Sequence, residues 1–265
     1  MTEPSVVWTY AVTERDRPAC LDGLEGVAGG PVRAVTAAGL TAIAGDVPAA
    51  DFDAAALRRN LEDLGWLETT ARAHHRVIEA VAGEGPVVPM RLATVYRDDA
   101  GAAAALAEHA GDLRAAIART RARKEWGIKA YAARPAPPDR DAGPAPRPPG
   151  RAAAGSGAAY LARRRQQLSA QERARHDVVT SAELIHARLA GLAEQSRLHP
   201  PQPPQLAGQR LQMILNAAYL LADGQDGDFA AAVTELAGQH PAVRIEITGP
   251  WPPYSFAALP EAGQP

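Results

Sequence analysis

Leu57, Leu61, Leu64, Leu67, Ala71, His74, Ile78 and Val81 recur three or four residues apart. That spacing lays a single apolar stripe along one long helix, with Gly65 as its expected break. Such a stripe needs an apolar surface to lie on, and the flanking sequence supplies strands. Residues 6–12 (VVWTYAV) are rich in β-branched and aromatic side chains and read as a first strand. A short helical piece is expected at residues 18–24. After Gly29-Gly30-Pro31, residues 32–36 and 40–44 read as a hairpin turning at Ala37-Ala38-Gly39. Gly83 and Gly85 end the long helix, and residues 86–96 (PVVPMRLATVY) supply a fourth strand, where Pro89 suits an edge or a bulge. Residues 100–121 are alanine-rich and helical, with a join at Gly111. This order predicts an α+β domain over residues 1–122, a ferredoxin-like βαββαβ-type sheet with helices on one face.

A second series follows. Residues 125–132 (EWGIKAYA) read as a strand, and residues 134–150 hold seven prolines and no large apolar residue, as an extended or disordered loop does. Helix resumes near Ser156, and Ser169-Ala170-Gln171-Glu172 matches a capping box, predicting a new helix start there. Val178, Ala182, Ile185, Leu189 and Leu192 give that helix its stripe, and the prolines of residues 200–204 end it. Residues 211–221 (LQMILNAAYLL) carry helix-favouring side chains, but their length and their Gly and Asp bounds read as a buried strand. Residues 229–237 read as a short helix, and residues 243–248 (VRIEIT) alternate as a half-buried strand does. Residues 123–265 are therefore expected to form a C-terminal mixed α/β domain with an aromatic, proline-rich tail. Alanine is abundant and aromatics make up only 5%, so the cores should be built of small side chains on helices.

The tail, Thr-Gly-Pro-Trp-Pro-Pro-Tyr-Ser-Phe at residues 248–256, concentrates three of the chain's thirteen aromatics. Pro250, Pro252 and Pro253 are expected to stop the strand and hold the tail extended, so that Trp251, Tyr254 and Phe256 dock at little entropic cost. Either the tail packs on its own domain as a clasp, or Pro250 and Pro253 form a PxxP-type ligand for another protein's groove.

A net charge of −2 and a pI near 6.4 give no general drive toward nucleic acid or acidic membranes. No window approaches the roughly 20 apolar residues of a membrane span, and residues 1–4 lead straight into a strand-like run, so a cytosolic protein is expected. Cys20 is the only cysteine, which excludes an internal disulfide and a multi-cysteine metal site. His75 and Glu79 stand at i, i+4 beside His74, but no HExxH pattern or further ligand completes a metal site, and His74 reads as a hydrogen-bonded core histidine. Gly155-Ser156-Gly157 resembles a phosphate loop, yet Ala158-Ala159-Tyr160 follows where such a loop needs glycine or Gly-Lys-Ser/Thr, and Ser156 serves more simply as an N-cap. Arg163, Arg164 and Arg165, with Arg173 and Arg175, are interspersed with Glu172 and Asp177 as on a solvated helix face; a low-salt docking surface for an acidic partner stays open. No paired carboxylates, Ser/His/Asp order or Cys/His pair stands in a catalytic context, so neither an enzyme nor a cofactor is expected.

Five segments, in order, resemble the gas-vesicle accessory proteins of the F and L type. They are Pro89-Met90-Arg91-Leu92-Ala93-Thr94, Glu125-Trp126-Gly127-Ile128-Lys129, residues 155–161, Asn216-Ala217-Ala218-Tyr219-Leu220 and the tail itself. Leu92 and Ala93 depart from the family's Phe-Gly at those positions, which touches local strand packing. The resemblance implies a non-enzymatic minor gas-vesicle protein with two α/β domains, cytoplasmic before assembly. Its implied partners are the small hydrophobic major shell protein and other accessory proteins. It would cover apolar shell-protein surfaces during nucleation, through sheet edges and a groove between the domains. Trp251, Tyr254 and Phe256 would shape the second domain, and Arg91 would be a polar contact. The rival class is a two-domain ferredoxin-like small-molecule-binding or sensor protein, and a third is an interaction scaffold using residues 134–150.

Overall fold

The computed structural model describes residues 4–132, 156–201 and 211–257. The Pro-rich stretch 134–150 and Gly155 of the phosphate-loop-like run lie outside the described residues. The chain divides into two compact units. One comprises Met1–Trp126 with Leu220–Asp223 and Gly249–Pro265, the other Gly127–Tyr219 with Gly224–Thr248.

In the first unit, β1 (Ser5–Thr13) leads through two 3-10 turns to the hairpin β2 (Val32–Ala37) and β3 (Leu40–Pro48). There follow α1 (Ala49–Phe52), α2 (Ala54–Asn60), α3 (Leu64–Ala82), β4 (Val87–Pro89), β5 (Val95–Tyr96), α4 (Asp99–Glu108) and α5 (Ala110–Thr120). The sheet order is β2-β3-β1-β4, with β5 also pairing β1, and every pair is antiparallel. The register of β1 on β3 shifts between Thr9 and Ala11, a bulge at Tyr10 whose carbonyl accepts from Met90 N–H at 2.8 Å.

The expectation of helices on one face is corrected. Val7, Val12, Val35, Ala42, Ala44 and Val88 pack with α4 and α5, whereas Trp8, Tyr10, Val32, Ile43, Val47 and Val87 pack with α1 and α3. Successive side chains of a strand point to opposite faces. Because β1 and β3 are apolar at both parities, each face needs a helical cover. The helix break predicted at Gly65 falls instead at Leu61–Asp63, where Asp63 caps α3 by accepting from Gly65 and Trp66 N–H. The join predicted at Gly111 is at His109.

The second series runs β6 (Arg123–Ala132), α6 (Ser156–Ala190), β7 (Gln195–Leu198), β8 (Met213–Ala222), α7 (Asp226–Gln239) and β9 (Val243–Trp251), with sheet order β7-β8-β6-β9. Ala132 N–H bonds to Gln212 O, and Asp223 N–H to Ala122 O, so β6 and β8 run antiparallel. Buried residues of the second unit include Ile128, Ile185, Leu189, Leu215, Tyr219, Phe229, Val233 and Leu236.

Three expectations fail here. Ser169 does not start a helix: α6 is continuous, and the Ser169 hydroxyl bonds back to Gln166 O at 3.0 Å. The short polar strand β7 precedes the prolines that were expected to end the helix. The prolines do not stop β9, which runs through Pro250 to Trp251; as the last strand of its sheet, β9 tolerates a residue without N–H.

Candidate functional site

The tail folds back on the first unit, not on the second domain as the sequence suggested. After β9 it turns at Pro252–Phe256, with Tyr254 N–H on Pro252 O at 2.7 Å and Ala257 N–H on Pro253 O at 2.9 Å. The Tyr254 hydroxyl and His75 Nδ1 are 2.7 Å apart, and Trp251 meets the same imidazole edge-on at 5.2 Å. Ser255 donates from both N–H and Oγ to the carboxylate of Glu125, each at 2.7 Å. Arg119 Nε donates to Phe256 O at 3.0 Å. Phe256 and Ala257 are buried, and Ala257 joins the core under α4 and α5. Burial pushes the Tyr254 phenol well above its ordinary range, helped by the charges of Glu79 and Glu125.

The three tail aromatics therefore differ in kind. Phe256 is core, Tyr254 is a hydrogen-bonded anchor, and Trp251 keeps 39% of its surface exposed. The segment needs glycine at 249: φ there is +121°, and a Cβ would stand 2.9 Å from Glu125 O. Trp251 and the prolines line one side of an open groove of about 480 Å³. Glu79, Glu84 and Lys124 lie among its other lining residues.

Arg91 lies elsewhere, exposed in the turn between β4 and β5, where its carbonyl accepts from Thr94 N–H and Oγ. Leu92 and Ala93 pack against the same apolar cluster as Tyr254. Ala93 adopts φ +65°, so the departure from the family's glycine falls on a left-handed turn residue. Arg91 and the tail aromatics are thus not assembled into one polar site.

His74 is a structural residue. Trp8 Nε1 donates to its Nδ1 at 2.9 Å, and its Nε2 lies 3.1 Å from Met90 O, which fixes the neutral Nε2–H tautomer. Burial holds its pKa down to about 4, against the raising effect of the Met90 carbonyl. Among the described residues, no group of three His, Cys, Asp or Glu side chains is placed to hold a metal ion.

Sequence reasoning missed His75, Glu125 and Arg119 as the residues that receive the tail. Glu125 had a signal, as a carboxylate opening an apolar strand. His75 had none, since its partner is 179 positions away.

In the second unit, β7 is the terminal strand of its sheet and is exposed along its whole length. Beside it, an open groove of about 470 Å³ runs between α6 and β8, with Val179 and His186 on one wall and Leu198, Met213 and Leu215 on the other. Val179 and Leu198 each keep more than half of their surface exposed. Such a surface can take an added strand along the edge of β7 or an apolar segment in the groove. No described helix is long and apolar enough to cross a membrane.

Comparison with known proteins agrees from end to end. Residues 6–258 match the family described as "Gas vesicle synthesis protein GvpL/GvpF". The chain is 37% identical over 261 residues to "Gas vesicle protein L" of Streptomyces sp. (strain CB03234), covering 98% of this chain and 96% of that relative. Its fold is similar to the crystal structure of GvpF from Anabaena sp. PCC7120, with a TM-score of 0.66 at 18% identity over 98% of this chain and 99% of that one. It is also similar to GvpF from Microcystis aeruginosa, with a TM-score of 0.63 at 19% identity over 96% and 99%. This chain, a mixed α+β protein of two antiparallel sheets, belongs to the GvpL/GvpF family of gas vesicle synthesis proteins.

Proposed function

We propose that this chain is a non-enzymatic accessory protein of gas vesicle assembly. It binds the small hydrophobic shell protein and limits its aggregation during nucleation, acting in the cytoplasm and at the growing vesicle. The observation that carries this reading is the edge of β7, terminal among the described strands, beside exposed Val179 and Leu198. A sheet edge presents backbone groups that an added strand can pair with, and an apolar shell subunit needs a surface of this kind. Tyr254 and Phe256 shape the first unit, and the partner contacts include Trp251 and Arg91, both exposed. The first sheet's strand order supports a ferredoxin-like arrangement in which 3-10 turns replace the first crossover helix.

The test is co-expression of tagged protein with the shell protein, followed by affinity capture. Wild type is expected to retain the shell protein, and Val179→Lys with Leu198→Lys is expected to release it at unchanged melting temperature. Unchanged capture by that variant removes the β7 edge from the reading, and no capture by folded wild type overturns shell-protein binding. The groove beside Trp251 favours one second reading, a small-molecule sensor. A metabolite-dependent rise in melting temperature supports it, since a ligand of the native state must stabilise that state.

A further inference from the structure

Two exposed surfaces of this chain carry opposite net charge and each presents exposed apolar side chains. The first is the leading half of α6. Tyr160, Leu161 and Leu168 are 67%, 58% and 45% exposed there. Leu161 and Leu168 are seven residues apart and so lie on one side of the helix, with Tyr160 adjoining. Arg164 and Arg165 stand four residues beyond Tyr160 and Leu161, along that side. Residues 156–177 carry five arginines against Glu172 and Asp177, a net of three positive charges in a chain whose total is −2. The described side chains between Tyr160 and Asp177 are all exposed.

The second surface is the corner between α2 and α3. Leu61 caps α2 and Leu64 opens α3, 39% and 67% exposed. Around them Asp51, Asp53, Glu62, Asp63 and Glu68 are all exposed. Residues 51–68 hold those five acids against Arg58 and Arg59, a net of three negative charges. Asp53 and Asp63 are spent as helix caps but keep their charge, and Glu68 also pairs with Arg72. An exposed leucine alone is ordinary. Here each apolar group sits in a region of net charge, and a region of opposite net charge is on the same molecule.

We infer that the basic face of α6 in one copy docks on the acidic α2–α3 corner of a second copy, giving salt-sensitive self-association of the chain. This contact is independent of shell-protein binding. Leu161 and Leu168 supply the apolar seam against Leu61 and Leu64, and arginines facing Glu62 and Glu68 steer it. Since surface ion pairs are individually weak, the association is transient, with a dissociation constant on the order of 10–100 µM at low salt.

Sedimentation velocity of the full chain tests it. Raising the ionic strength from about 0.01 M to about 1 M shrinks the Debye length from about 30 Å to about 3 Å and is expected to weaken association at least about tenfold. Arg164→Glu with Arg165→Glu, and separately Glu62→Lys with Glu68→Lys, should each be monomeric at low salt, with circular dichroism and melting close to wild type. Mixing the two variants should restore a complex, because the reversed face of each then meets the opposite charge on the other. Wild type that stays monomeric at low salt leaves the two surfaces to other partners and overturns the inference. So does self-association that survives either reversal, or a mixture that fails to associate.

Discussion

Ala93 sits at φ +65°, in a turn closed by Thr94 N–H on Arg91 O at 3.2 Å. A side chain there costs about 1–2 kcal/mol relative to the right-handed region, and glycine removes that cost while losing part of it to unfolded-state freedom. Ala93→Gly is therefore expected to stabilise the chain by about 0.5–1 kcal/mol, read as a rise of about 2 °C in melting temperature. His74 makes a second residue-scale prediction. Its folded pKa, about 4, lies below the ordinary 6.5, so only the unfolded chain gains a proton as pH falls through that window. Stability from this group is complete above about pH 6.5 and declines toward pH 4, by up to about 3 kcal/mol in all. His74→Gln keeps an acceptor for Trp8 and a donor for Met90 but cannot titrate. Urea unfolding at pH 7, 5.5 and 4.5 should then show the wild type losing about 2–3 kcal/mol more than the variant. Equal losses would place the acid sensitivity elsewhere. The sequence did reveal that His74 is core, because it falls in the helical stripe. It could not reveal Trp8 as its partner, 66 positions away.

At the scale of elements, strands and helices followed their periodicities, and the errors came where a local signal met tertiary context. The motif S-x-x-E at Ser169 is also compatible with a helix interior, where both side chains face solvent. Ser169→Ala should accordingly change stability by less than about 0.5 kcal/mol, whereas loss of a true N-cap costs about 1 kcal/mol; denaturant melts decide between them. β7 was illegible because four exposed residues, Gln195–Leu198, carry no alternation. The prolines of the tail misled in the opposite sense, since an edge strand need not donate on its outer side. The clasp itself divides by residue. Tyr254→Phe deletes one hydrogen bond to His75 and should cost about 1 kcal/mol. Phe256→Ala empties a buried site and should cost about 3–5 kcal/mol.

Across the whole molecule, residues 251–257 complete the unit built by the first half of the chain. Nothing in the tail's sequence says so: its aromatics call for a cover, but the cover is His75 on α3, Glu125 at the start of β6 and Arg119 on α5. Proximity in sequence pointed to the second half, and burial decided for the first. The two cases separate by where stability is lost. Removing residues 250–265 takes away buried Phe256, strips Ala257 from the core under α4 and α5, and leaves the Glu125 carboxylate without the two Ser255 donors. The expected loss is at least the about 3–5 kcal/mol of an emptied aromatic site. Native-state hydrogen exchange should register it as faster exchange in α3 and α5, with the amides of α7 unchanged, because local opening reports the contacts of each cooperative unit. Loss of protection in α7 instead would tie the tail to the second unit, and the clasp would then have to be rebuilt from contacts other than His75 and Glu125.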